Sequence, residues 1–80
     1  MGTSLLFVYF FTLASGDTLE GIEDAQYPHG AKIYMIGECL SEAKRVEKAL
    51  NQSFNSGKGN KVFKSVRVTC DLEKNYEQFK

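Results

Sequence analysis

From Ser4 to Ala14 the chain runs Leu5-Leu6-Phe7-Val8-Tyr9-Phe10-Phe11-Thr12-Leu13 without a charge, and apolar side chains fall at odd and even positions alike. A strand with one wet face alternates apolar and polar residues. This one does not, so both faces must be covered, as in a central strand or one with a face against a second copy. Aromatic and β-branched residues favour strand over helix here. The run is shorter than the roughly 20 residues a bilayer-spanning helix needs. Its end, Ala14-Ser15-Gly16, also fits a secretory signal cleaved at that point, but no Lys or Arg precedes the apolar stretch. Read as a core strand it goes with a cytoplasmic protein; read as a signal over residues 1–16 it makes the protein secreted.

Eighty residues, 42% hydrophobic and 25% charged with one Pro, describe a single folded domain over 1–80. Cores of this size often gain from self-association. Cys39 and Cys70 lie far apart within apolar segments. A lone disulfide is one outcome; buried reduced thiols in a cytosolic protein are the expectation.

After the first strand, Asp17 followed by Glu20 has the spacing of a capping box, which predicts a short helix near 17–26. Tyr27-Pro28 ends it and His29-Gly30 completes a turn. Ala31–Cys39 alternates and reads as a second strand. Ser41 suits a helix N-cap, and Ala43, Val46, Leu50 and Phe54 form an apolar stripe, giving one main helix over about 41–55. Asn55-Ser56-Gly57 stops it. Lys61–Leu72 alternates as a third strand, and Leu72, Tyr76 and Phe79 predict a short helical segment near 72–79. The expected fold is α+β: a two-layer domain with a three- to four-stranded sheet packed by one main helix. The connection from second to third strand is a candidate right-handed crossover, or the first two strands form a wide hairpin.

Catalysis finds little to stand on. There is one His, no CxxC spacing and no paired imidazoles, so the chain is read as non-enzymatic, with no cofactor and no metal site. The polar stretch Asn55-Ser56-Gly57-Lys58-Gly59-Asn60-Lys61 follows a helix and precedes a strand. A phosphate loop has the reverse order, and the helix end facing this one carries the negative pole of the dipole.

The net charge is zero, yet the charges are segregated. Residues 1–43 hold six acids against Lys32; residues 44–69 hold seven bases against Glu47. Such a polarised, non-catalytic chain suits a small interaction protein that binds a macromolecular partner, of inhibitor, antitoxin-like or accessory type, and associates with itself. Asp17, Glu20, Glu23 and Asp24 are the candidates for a basic partner. Lys44, Arg45, Lys48, Lys58, Lys61 and Arg67, with Tyr34 and Phe63 as stacking rings, are candidates for an acidic partner. The same eight residues support the alternative, binding of RNA or single-stranded nucleic acid through segment 44–67. A protein partner is expected first, nucleic acid second and a membrane not at all.

Overall fold

A computed structural model of the chain describes residues 4–56 and 62–79. The apolar run forms β1 (Leu5–Leu13), the middle of a three-stranded sheet. On one side it pairs antiparallel with β2 (Thr18–Asp24), on the other antiparallel with β3 (Phe63–Leu72). A long helix, α1 (Ile36–Asn55), joins β2 to β3, and a 3-10 helix (Glu73–Phe79) follows. This is the expected two-layer α+β domain. Its outer strands β2 and β3 run parallel to each other with β1 between them, so the helical crossover passes over the central strand.

The pattern of β1 explains its place. Its odd residues Leu5, Phe7, Tyr9 and Phe11 face the helix beside Val66, Val68, Cys70 and Leu72, against Cys39, Ala43, Val46, Leu50 and Phe54. Its even residues Leu6 and Val8 face the other way and are still buried, at 5% and 1% exposure. The 3-10 helix turns back onto that face. Its first N–H, of Glu73, donates to the Ser4 carbonyl at 2.9 Å, and Tyr76 borders the same cleft as Glu20, Gly21 and Ile22 of the far strand. Further along, the Arg67 guanidinium lies 5.4 Å from the centre of the Phe10 ring.

Four sequence expectations are corrected. Residues near 17–26 form strand β2, not a short helix. An edge of β1 left without a strand would strand its buried N–H and C=O groups, a demand stronger than one capping-box match. The hairpin closes through Ala14-Ser15-Gly16, with Gly16 at φ +95 and Leu13 N donating to Asp17 O at 2.7 Å. Ala31–Cys39 is not a strand; only an isolated bridge, Gln26 to Lys32, remains of it. The main helix starts at Ile36 rather than Ser41, because Cys39 sits four residues before Ala43 and belongs to the same buried stripe. Finally, Cys39 and Cys70 are not reduced thiols. They form a disulfide that ties α1 to β3 across 31 positions.

Candidate functional site

The two outer edges of the sheet are treated differently. The bonds Ala25 N to Leu5 O and Leu13 N to Asp17 O bracket the β1–β2 ladder. In an antiparallel ladder bonded pairs alternate, so Leu19, Gly21 and Glu23 point their backbone polar groups inward to β1. Thr18, Glu20, Ile22 and Asp24 point theirs outward. By the same logic, the Glu73–Ser4 bond sets Val66, Val68, Cys70 and Leu72 outward on β3.

On β3 side chains meet several of those outward groups. The Asn51 amide of α1 donates to Val66 O at 3.0 Å and accepts from Val66 N at 2.9 Å, as a neighbouring strand would. Glu47 Oε1 accepts from Val68 N at 2.8 Å, and Asp71 Oδ1 from Leu72 N at 2.8 Å. On β2, among the described residues, no strand or side chain pairs with the outward groups. The strand is exposed along almost its whole length. It carries Glu20, Glu23 and Asp24, follows Asp17, and has no basic residue.

Behind β2, on the helix side, lies a groove of about 390 Å³ lined by Phe7, Tyr9, Glu23, Asp24, Gln26, Tyr27 and Val46. It exists because α1 packs mainly over β3 and leaves the β2 half of that face uncovered. The Tyr9 hydroxyl donates to Glu23 Oε1. Burial, then the hydrogen bond to Glu23 and its charge, raise the Tyr9 pKa far above the ordinary tyrosine value. The Tyr27 hydroxyl is turned to Glu38, which together with partial burial and the charge of Glu42 raises its pKa too. Tyr9 stacks on Phe11 at 5.8 Å, and Tyr27 on His29 at 5.4 Å.

The four acidic candidates therefore fall on or just before one edge strand, with Glu20 in the cleft beside Tyr76 and with Glu23 and Asp24 lining the groove. The described basic candidates lie on α1 and β3. Lys44, Arg45 and Lys48 are exposed on α1, where Arg45 pairs with Glu42 at 2.9 Å. Lys44 and Arg67 border one cleft of about 450 Å³ with Leu40 and Glu47. Tyr34 is exposed in the loop before α1. Phe63 is not an open platform, being stacked on Phe54 at 5.5 Å and packed at a tilt against Phe11 at 5.0 Å. Lys58 and Lys61 lie outside the described residues.

Sequence reasoning missed Asn51, Glu47, Tyr9 and Gly21. An asparagine inside a helix carries no signal that it reaches a strand edge. Gly21 did carry one: a glycine between alternating residues marks a strand where something approaches closely. Among the described residues no three His, Cys, Asp or Glu side chains are placed to hold a metal ion, and no helix is long and apolar enough to cross a membrane. No family model, no curated protein and no solved structure matches this chain.

Proposed function

We propose that this is a non-catalytic binding protein of inhibitor or accessory type that captures an extended, basic segment of a protein partner along the outer edge of β2. The observation that supports it is the contrast between edges: side chains meet outward groups of β3 at Val66, Val68 and Leu72, while β2 offers unpaired backbone groups at alternate residues. Main-chain bonding to such an edge gives affinity and side chains give selection. A second copy is the poorer occupant. Pairing β2 with itself sets acids beside acids with no base on either strand, which is destabilising. Of the two locations, the disulfide favours an oxidising compartment over the cytosol.

An octapeptide alternating lysine and threonine, against its glutamate counterpart, is the direct test. The lysine peptide should bind and shift the amide signals of Thr18, Glu20, Ile22 and Asp24. Glu20→Pro removes one outward N–H without touching the ladder to β1 and should weaken binding by about tenfold or more, while Glu20→Gln should cost less. Equal binding of both peptides, or a folded Glu20→Pro variant with unchanged affinity, argues against this reading.

Nucleic-acid binding by segment 44–67 is favoured by one observation, the shared cleft of Lys44 and Arg67. It calls for an affinity for single-stranded RNA that falls steeply with salt and is lost in Lys44→Glu.

A further inference from the structure

The helix-facing side of β2 presents Leu19, Gly21 and Glu23 in a row, so the middle position has no side chain. Gly21 sits opposite Tyr9 in the ladder, and a Cβ placed there would meet only the Phe11 ring edge at 3.8 Å, an ordinary contact. Nothing in the backbone requires glycine at this point, since its φ is not positive. What the glycine does is leave a notch. The Phe11 ring bounds it, stacked on the Tyr9 ring, whose hydroxyl holds the Glu23 carboxylate two positions along the same face of β2.

We infer that this notch is the anchor site for an arginine of the captured segment. The inference rests on the edge-pairing reading and names the side chain that selects the partner. Gly21 directs its own polar groups inward to β1, so a residue facing it on an added strand occupies the closer, non-bonded kind of pair, with Cα atoms about 4.5 Å apart. That residue shares the helix-side face and has no opposing Cβ to avoid. An extended arginine there passes over Gly21 and brings its guanidinium to the Tyr9 ring and Glu23. A planar cation suits both partners, lying flat on an aromatic face while forking to a carboxylate. Tyr9 already donates to one Glu23 oxygen, which orients the carboxylate and leaves its other oxygen to accept. A neutral or acidic side chain at that position would bring nothing to answer the Glu23 charge.

The test uses a threonine–valine octapeptide with one central arginine, its twin with citrulline, and the protein with and without Gly21→Val. Citrulline keeps the shape and removes the charge. The arginine peptide should bind about tenfold more tightly than its twin. Gly21→Val fills the notch, raises strand propensity and should leave the fold at least as stable, yet it should erase most of that tenfold difference. A difference that survives in a folded Gly21→Val protein, or one absent from the native protein, overturns the inference while leaving capture of the lysine–threonine peptide as a separate result. Should neither peptide class bind, N-acetylarginine amide decides alone. Shifts at Tyr9, Gly21 and Glu23 that N-acetylcitrulline amide does not reproduce support the notch; their absence overturns it.

Discussion

Asn51 hydrogen-bonds both polar backbone groups of Val66, at 3.0 and 2.9 Å, and so stands in for a missing fourth strand. Replacing it by Ala leaves a partly buried N–H and C=O without a protein partner, at a cost of about 1–3 kcal/mol, slightly offset by the better helix propensity of Ala. Urea unfolding should show the loss as a lower midpoint. The same variant exposes the β3 edge, so sedimentation should reveal stronger concentration-dependent association than the native protein shows. An unchanged midpoint together with a monomeric variant would count against the edge-closing role.

The Cys39–Cys70 bridge joins the buried face of α1 to the strand beneath it. Closing a loop over 31 positions is worth about 3–4 kcal/mol in the chain-entropy account. Against a total stability on the order of 5–15 kcal/mol, that is a large share. Reduction, or the double replacement by Ala, should lower the urea midpoint markedly. An identical midpoint with and without reductant would show that the bridge contributes nothing to the folded state.

Asp71 accepts from the Leu72 N–H, from Asn75 at 2.8 Å and from the Tyr76 hydroxyl at 3.2 Å. The first two bonds in particular hold its pKa below 3.8. A carboxylate depressed on folding stabilises the structure above its unfolded pKa, and that stability is lost as pH falls through the folded value. Acidification below the ordinary carboxylate range should therefore release the 3-10 helix before the sheet. Tyr76 ring signals followed by NMR would report this as an acid transition absent from Asp71→Asn.

Tyr9 titrates in the opposite sense. Its raised pKa means that the stability it contributes is present in full below 10 and declines as pH rises above that value. Glu23→Gln removes the charge but keeps an acceptor, so the Tyr9 pKa should move down toward 10 and yet stay above it, because burial is the largest cause. Ring-carbon shifts of Tyr9 across an alkaline titration measure it; a value unmoved by the substitution would exclude Glu23 as a contributor.

These expectations rest on features of unequal visibility in the sequence. The apolar run of residues 4–14 announced a two-sided central strand, and the stripe of Ala43, Val46, Leu50 and Phe54 announced the helix that covers it. The fold class followed from those two elements. The segment 17–24 misled because Asp17 and Glu20 match a helix start locally, whereas the need of β1 for a partner is a tertiary demand. The acidic half of the candidate site was visible as composition, since Glu20, Glu23 and Asp24 stand in the sequence as they stand on the edge. Its geometry was not, because openness of an edge is a relation between β2 and the rest of the chain. The basic residues looked continuous along the sequence; of those described, the fold brings Lys44 and Arg67 to one cleft while Arg45 pairs with Glu42.

The disulfide also settles how the domain would bear tension. Leu5 and Leu72 are cross-strand partners, so a pull on both flanks of the fold opens the β1–β3 ladder from that end, one pair at a time. The third pair in is Phe7 with Cys70, and there the load meets a covalent bond. From that point force passes through sulfur into α1, and the chain between the two cysteines carries none of it. Roughly 100 Å of chain is thereby hidden from extension. A stretched molecule would give up β1, β2 and the C-terminal turn while the helix and most of β3 kept their length, and a reducing agent would release that hidden reserve.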